Sequence, residues 1–428
     1  MTTRFDILVV GGGPAGIAAA VCAAESGKHV GIIDDNFALG GQIWRGSGPQ
    51  PKIAASWCAR LAACNIEHLQ GTRAFDQPAY GTLRVEQDNR SIDIGYQKLI
   101  LATGARERFL PFPGWTLPNV LGAGALQALV KSGLPVTDKR IVVAGSGPLL
   151  LAVAAYLRKH GAKVLAICEQ ASFPRLLPFA TYIVTNKERL LQTIQYKSQT
   201  LAVPFYTGCF PVAAQGAGKL ESVTLRKGNR EWTIPCDYLA CGFHLVPNTE
   251  LAALAGCHIS AGKVAVDEWE ATSITNIYCA GEPTGIGGVE LALVEGQIAG
   301  YASAGKQDKA RNLFPERKRL RKFAQKLEET FALNPALRQL PQQATLVCRC
   351  EDVSYLALST QSSWRAAKLQ TRCGMGPCQG RICGTAAEFL FGWSTDSVRP
   401  PIFPVTLSSL SAPPASVEAE LTAFEEKQ

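Results

Sequence analysis

Histidine is scarce in this sequence: five stand in 428 residues, and none falls in a recognisable motif. No His-rich zinc pattern, paired carboxylates or Ser-His-Asp order is present, which excludes the usual hydrolase constellations. No stretch approaches 18 consecutive apolar residues free of glycine and charge, so no membrane span is expected. No aromatic-interleaved basic sheet and no helix-turn-helix pattern accompanies the basic residues, so nucleic acid is not an expected partner.

What is present suits a chain able to bury a large core. Hydrophobic residues make up 47% and charged residues 18%, ordinary for a globular protein, and the length suits two or three domains. The net charge of +8 is partly local. Between Lys306 and Lys326 stand nine Lys or Arg against two acids. That run reads as a solvated basic helix, with an acidic partner surface as the sharper alternative. The start, MTTRFDILVVGGGPAG, enters a strand within a few residues and leaves no room for a secretory signal. Cytoplasmic residence is therefore the expectation. Fourteen cysteines are then buried hydrophobes or metal ligands sooner than disulfides.

FDILVVGGGPAGIAAAVCAAESGKHVGIIDD reads as strand, glycine turn, helix and second strand. The run Ile7 to Val10 lacks alternation, as a parallel strand buried on both faces does. In GGGPAG, Gly11 makes the tight turn, Gly13 lets backbone approach a pyrophosphate, and Gly16 permits close helix packing. Pro14 and Ala15 open the helix whose N-terminus faces the phosphates. Asp34 ends the second strand, 18 residues after Gly16, where a carboxylate takes ribose hydroxyls. Asp35 is the register alternative.

Three stretches name the nucleotide by resemblance. LGGQIWRGSG, Leu39 to Gly48, with Gly41 and Gln42 at its centre, resembles the loop along the ribityl chain and flavin ring of thioredoxin-reductase-like flavoproteins. YQKLILATGARERFLPFPG carries the Ala102-Thr103-Gly104 turn common to two-dinucleotide flavoproteins. ATSITNIYCAGEPTGIGG resembles their C-terminal flavin motif, in which a strand ends in Ala-Gly-Asp. Here Gly281 is followed by Glu282, one methylene longer. Together they imply FAD at the first site.

DKRIVVAGSGPLLLAVAAYLRKHGAKVLAICEQ repeats the pattern with Gly145 and Gly147, but the third position is Leu150. A leucine there is expected to push the helix from its strand or force the turn to rearrange. Glu169 ends the next strand, and no arginine pair suited to a 2′-phosphate follows directly. A nicotinamide site, a fold that binds no nicotinamide, and a fold that holds another adenine nucleotide all stay open. Flavoprotein reductases of this class often carry a redox-active Cys-x-x-Cys or Cys-x4-Cys beside the flavin. There is no Cys-x-x-Cys. Cys236 and Cys241 have the second spacing but sit in a strand with opposed faces, and read as structural. His244, in CGFHLVPN, also reads as structural. Without a dithiol the chain is not a simple disulfide reductase.

Five cysteines cluster near the end. Cys348 and Cys350 stand in VCRCEDV; Cys373, Cys378 and Cys383 stand in TRCGMGPCQGRIC. Glycines 374, 376, 380 and 384 let backbone wrap a cluster. Thiolates suit zinc and iron–sulfur clusters alike, and four ligate a 2Fe–2S centre. Zinc pairs usually follow Cys-x2–4-Cys, which the one-residue gap at Cys348 and Cys350 fits poorly. The second pair is either Cys378 with Cys383 or Cys373 with Cys378; both are Cys-x4-Cys.

The order of FAD motifs, degenerate second dinucleotide fold, CRCEDV and GMGPCQGRIC resembles the flavin-containing A-type chain of bacterial opine oxidases, over nearly the whole length. It also resembles the equivalent chains of hydrogen cyanide synthase and D-hydroxyproline dehydrogenases. The last module is similar to bacterioferritin-associated ferredoxin, which closes with a shorter Cys-x2-Cys. GMGPCQG also appears in anaerobic glycerol-3-phosphate dehydrogenases, and RPPIFPV, Arg399 to Val405, looks like the family's Pro-rich tail. The resemblance implies cluster ligands Cys348, Cys350, Cys378 and Cys383, with Cys373 outside the set. It implies an α/β fold of tandem Rossmann-like domains plus a ferredoxin-like module. The expected division is 1–115 with 270–305 for FAD, 116–269 for the second dinucleotide fold, 306–343 for a basic helix and linker, 344–395 for the cluster module and 396–428 for the tail.

The resemblance further implies an electron-transfer subunit of a heteromeric opine or amino-acid dehydrogenase, with no substrate pocket of its own. A flavin-containing B-type (beta) partner similar to D-amino-acid oxidase would oxidise a C–N bond to an imine. A small ferredoxin-like gamma partner would complete the complex, a further flavin at the boundary between partners is compatible with it, and partners would carry it to the periphery of the inner membrane. Three rivals are a self-sufficient NAD(P)H-dependent reductase, a subunit of a glycine-oxidising hydrogen cyanide synthase, and a non-catalytic scaffold.

Overall fold

The computed structural model describes residues 4–45, 51–184, 194–395 and 398–411. Contacts divide the chain into two units: 1–106 with 247–325 and 397–428, and 107–246 with 326–396. This differs from the expected division. The FAD-type unit takes in the chain from 247 and the tail, and the linker and cysteine module group with the second dinucleotide fold.

The first unit is built on a seven-stranded sheet. Arg4–Val10 lies between Val30–Ile33 and Arg90–Leu101, parallel to both. Ile66–Leu69 flanks Val30–Ile33, and Ile277–Cys279 pairs with the end of Arg90–Leu101, both parallel. Thr82–Gln87 pairs antiparallel with the first half of Arg90–Leu101 and continues into Arg73–Ala79. Ile7, Leu8 and Val9 are buried, as the unbroken apolar run requires of a strand covered on both faces.

The register decides where loops emerge. Val10 pairs with Ile33 and Leu101, and Leu101 with Cys279. Gly11, Asp34, Ala102 and Ala280 therefore leave the sheet side by side at its C-terminal edge. Backbone bonds stitch that edge: Gly11 N–H to Ile33 O at 2.8 Å, Ala102 N–H to Val10 O at 2.8 Å, and Ala280 N–H to Leu101 O at 3.0 Å. Ligands of open parallel sheets bind outside such an edge.

Helix Pro14–Ala24 packs on helix Gly288–Ser303, and both are rich in small residues. A Cβ at Gly296 would lie 2.2 Å from Ala15 O, and one at Gly300 2.4 Å from Ala19 O. The two backbones touch, which only glycine permits.

The basic run forms helix Phe314–Phe331, but the picture of a merely solvated face is corrected. Arg317 is 8% exposed and its Nη1 lies 2.7 Å from Glu270 Oε1. Arg321 reaches Glu270 at 3.0 Å and Glu295 at 2.7 Å. Both glutamates are buried, and buried charge persists only when paired. The tail also packs: Ile402 is buried, its N–H donates to Phe75 O at 3.0 Å, and Thr406 N–H donates to Glu86 Oε1 at 2.8 Å. Residues 412–428 of the expected tail lie outside the described residues.

The second unit holds a five-stranded parallel sheet in the order Phe205–Thr207, Lys163–Glu169, Arg140–Ser146, Tyr238–Phe243, Val120–Leu121. A three-stranded antiparallel sheet, Cys209–Gln215, Ser222–Lys227 and Arg230–Pro235, accompanies it. The cysteine module of this unit pairs Leu346–Cys348 with Val353–Ser354, followed by helices Tyr355–Ser359, Trp364–Thr371 and Cys383–Phe391. Ser354 and Ser363 cap the first two, accepting from Ala357 and Ala366 N–H, as serine at a helix start does. Its core joins Val347, Val353, Leu358, Trp364 and Ala387 to Cys348, Cys373 and Cys383. Trp115 Nε1 donates to Leu346 O at 2.6 Å and Arg338 Nε to Phe389 O at 2.9 Å, tying the module to its unit.

Candidate cofactor sites

The three glycines of the first turn stand in three different environments. Gly11 has φ +105°, and a Cβ there would lie 2.2 Å from Ala102 O. A Cβ on Gly16 would lie 1.8 Å from Gly11 O, whereas one on Gly13 meets nothing within 4 Å. Turn and helix are thus closed on two sides and open at Gly13, ahead of Pro14 at the first helical position. Ala15 packs behind it, 2.8 Å from where a Cβ on Gly281 would stand.

Asp34 and Asp35 part company. Asp34 is 9% exposed; its Oδ2 accepts from Gly12 N–H at 2.6 Å and its Oδ1 from Asn36 N–H at 2.8 Å. Asp35 is exposed and lies 3.6 Å from Arg73. Of the two, Asp34 faces the glycine turn. The next loop folds over that turn: Gly40 N–H donates to Gly12 O at 2.7 Å, and a Cβ on Gly41, φ +56°, would lie 3.0 Å from Gly13 Cα. Trp44, 3% exposed, anchors it among Ile17, Val21 and Trp57. Gln42 is exposed and accepts from Arg45 Nη2 at 3.4 Å. Residues 46–48 of the expected flavin loop lie outside the described residues.

Ala102, Thr103 and Gly104 line the same edge. Thr103 Oγ1 donates to Asn248 O at 2.7 Å and Asn248 Nδ2 to Thr103 O at 2.9 Å. Gly281 N–H donates to Glu295 Oε2 at 3.1 Å, as does Thr284 Oγ1 at 3.0 Å. Glu295 therefore fastens the Gly281 turn, while its other oxygen is held by Arg321. Burial pushes the Glu282 carboxyl up to about 7.

Two groups at this edge were not anticipated from the sequence. Arg45 Nη1 and His68 Nε2 are buried without a hydrogen-bond partner, and burial lowers His68 while nearby Asp34 opposes it. Orphaned buried donors call for a partner. The open space at Gly13, ahead of the helix N-terminus, fits a phosphate-bearing ligand.

The second dinucleotide fold departs from the first. Its strand runs one residue past Gly145, and its helix starts at Leu149. Leu151 N–H reaches Pro148 O at 3.2 Å, three residues back, where its counterpart Ile17 at the first site reaches Gly13 O, four back. The turn has tightened, and Leu150 is buried among Ile141, Val143 and Val153. Glu169 spends its carboxylate on Gly147 N–H at 2.7 Å and Ala171 N–H at 2.8 Å, and burial pushes it up to about 7. Ser146 Oγ donates to Phe331 O at 2.9 Å, Gln170 Nε2 donates to Ser146 Oγ at 3.0 Å, and Asn334 N–H donates to Gln170 Oε1 at 2.8 Å. Arg175 donates to Glu329 O and Ala332 O. The chain's own segment 329–334 occupies these polar groups at the sheet's C-terminal edge. Cys236 and Cys241 are buried in the core of this unit; burial pushes Cys236 up to about 12 and raises Cys241. His244 takes the Leu245 N–H on Nδ1 at 2.9 Å and offers its carbonyl to Arg108 N–H at 3.0 Å.

In the last module three thiols converge, and two more adjoin them. The sulfurs of Cys348, Cys373 and Cys383 all lie within 4.8 Å of one another. Cys378 is in hydrogen-bonding reach of Cys383 and Cys350. Cys348 and Cys383 are 1% exposed, Cys373 is fully buried, Cys378 is half-buried and Cys350 is exposed. The Cys373 and Cys383 thiols hold Cys348 down to about 2, and that contact pushes Cys373 up to about 12. The glycine loop wraps Trp364: a Cβ on Gly374 would lie 2.6 Å from its ring and one on Gly380 3.1 Å. A Cβ on Gly376 would lie 2.4 Å from Cys350 Cβ. The expected ligands Cys348, Cys350, Cys378 and Cys383 are brought together, and so is Cys373, which the resemblance placed outside the set. A cluster of soft donors in glycine backbone fits a thiolate-bound metal.

Comparison with known proteins agrees with this architecture. Residues 5–300 match the pyridine nucleotide-disulphide oxidoreductase family model. The HcnB chain of hydrogen cyanide synthase from Pseudomonas protegens is 29% identical over 96% of this chain and 98% of its own. The A-type chain of opine oxidase from Agrobacterium tumefaciens is 28% identical over 97% and 93%. These are relatives of the kind the cysteine and glycine motifs resemble. Among solved structures, L-proline dehydrogenase from P. horikoshii has a TM-score of 0.65 at 18% identity, covering 96% of this chain and 81% of that one. T. acidophilum thioredoxin reductase has 0.55 at 20%, covering 71% and 99%. No helix among the described residues is long and apolar enough to cross a membrane.

Proposed function

This chain belongs to the pyridine nucleotide-disulphide oxidoreductase family, and on that premise we propose that it is the electron-transfer subunit of a multi-subunit dehydrogenase that oxidises a CH–NH bond of an opine or amino acid. The observation that carries the reading is the buried triad of Cys348, Cys373 and Cys383, with Cys378 touching Cys383 and Cys350, on a family chain without the Cys-x-x-Cys of disulfide reduction.

FAD would be held by Gly11, Gly13, Pro14, Ala15 and Gly16 along the pyrophosphate, by Asp34 at the ribose, and by Gly41, Gln42, Ala102, Thr103, Gly104, Gly281 and Glu282 towards the flavin. Asp35, turned to Arg73, is the weaker candidate. Cys348, Cys350, Cys378 and Cys383 would hold a 2Fe–2S cluster. A flavin supplies two-electron chemistry and a 2Fe–2S centre single-electron transfer, the pairing an electron-transfer subunit needs. The protein's own part is to orient and shield. Helix Pro14–Ala24 presents its N-terminus to phosphate charge, Glu295 and Arg321 fix the Gly281 turn, and Trp364 fixes the glycine loop.

The relatives from hydrogen cyanide synthase and opine oxidase are each one subunit of a larger enzyme. That supports partner chains here: a flavin-containing B-type (beta) chain similar to D-amino-acid oxidase, and a small ferredoxin-like chain. The engaged state of Ser146 and Gln170, held by the chain's own segment 329–334, favours a second fold that takes no nicotinamide. The test is anaerobic mixing of the pure chain with NADH. Flavin absorbance should persist; rapid bleaching by NADH alone would establish a self-sufficient reductase instead.

A further inference from the structure

We infer that Cys373 is a stand-in ligand, a fifth thiol that takes a metal position when Cys350 is lost. The inference rests on the thiolate-cluster reading above and deepens it. Five thiols serve four places, and they are not equivalent. Cys373 is fully buried, with its sulfur within 4.8 Å of both Cys348 and Cys383. Cys350 is exposed, and the thiol in hydrogen-bonding reach of it is Cys378. The replacement therefore already stands inside the donor set, beside two ligands, while the thiol it replaces stands at the rim.

The backbone holds the spare thiol beside its neighbours. Cys373 follows Arg372, a left-handed helix cap at φ +64°, and precedes Gly374 at φ +80°. Gly374 and Gly380 both lie against the Trp364 ring, so Cys373 and Cys378 ride on one anchored loop. Thr371 Oγ1 accepts from Cys373 N–H at 3.3 Å and fixes that end. The exchange moves no electrons: Cys373 gives its thiol proton to water, and its sulfur binds the metal position that Cys350 leaves.

The experiment uses the full chain, reconstituted anaerobically with iron and sulfide, as wild type, Cys350→Ala, Cys373→Ala and the double variant. Alanine offers no donor atom. Iron, acid-labile sulfide and reduced-state EPR spectra are measured, with flavin content reporting folding. Cys373→Ala should keep iron, sulfide and an unshifted spectrum. Cys350→Ala should keep iron and sulfide with a shifted spectrum, because one sulfur has changed. The double variant should lose both metal and sulfide. Loss of iron in Cys350→Ala, loss or shift in Cys373→Ala, or retention in the double variant overturns the inference. A wild-type chain holding zinc without sulfide sinks the cluster reading separately; zinc content of the same four proteins then decides the stand-in role.

Discussion

Replacing Arg321 by alanine tests how the basic helix serves the flavin-type unit. In the native chain Arg321 contacts Glu295 at 2.7 Å and Glu270 at 3.0 Å. Its removal leaves Glu295, 1% exposed, with only the Gly281 N–H and Thr284 hydroxyl as partners among the described residues. Glu270 keeps Arg317. Breaking a buried ion pair from one side costs about 3–5 kcal/mol. Because the Arg321 side chain is itself 39% exposed, water can reach the vacated edge, and about 3 kcal/mol is expected. Urea unfolding of the first unit measures it. Arg321→Met with Glu295→Gln removes both charges and keeps an acceptor for Gly281. The pair should be less destabilised than the sum of its singles by at least about 1 kcal/mol. A loss below about 0.5 kcal/mol in Arg321→Ala, the range of ordinary surface substitutions, would refute the idea that this helix is fastened by buried charge.

Three further outcomes follow from the same geometry. Gly16→Ala places a methyl 1.8 Å from Gly11 O; about 1–3 kcal/mol of overpacking should weaken FAD retention roughly tenfold to a hundredfold, read as flavin content after gel filtration. Cys378→Ala removes the thiol that bridges Cys350 and Cys383 and should abolish the cluster's EPR signal, with retention of that signal counting against its role. Glu169 has a folded carboxyl raised from 4.5 to about 7, so its contribution to stability is present below the unfolded value and is lost as pH rises through about 7. Relative to wild type, Glu169→Gln should gain up to about 3 kcal/mol between pH 4.5 and 7 and change no further above pH 8, measured by urea unfolding across that range; a pH-independent difference would contradict the burial.

Local chemistry was legible where a residue's role is set by its immediate neighbours in sequence. Gly11, Gly13 and Gly16 could be assigned separate roles because a strand, turn and helix fix where each Cα must lie. The thiols could be grouped because glycines between them allow a wrapped loop. Pairings across the chain were not legible. Arg317 and Arg321 meet Glu270 from 47 and 51 positions away, and a charge count cannot separate such arginines from solvated ones. The signal available was Glu295 itself, an acid inside the apolar run VELALVEGQIAG that had to find a cation. Segment 329–334 reaches Ser146 and Gln170 from more than 150 positions away, beyond any local pattern. Leu150 was legible as a disturbance, but its resolution, a tightened first turn with the leucine in the core, depended on packing. Cys373 shows the limit of resemblance: a position outside the expected ligand set proves to stand among the buried sulfurs.

The central claim is that electrons reach this chain from C–N oxidation on a partner. The direct measurement is EPR of the purified complex, frozen after anaerobic mixing with an opine or amino-acid substrate or with NADH. The account predicts a reduced iron–sulfur signal with substrate and none with NADH. A signal raised by NADH, with none raised by substrate, would contradict it.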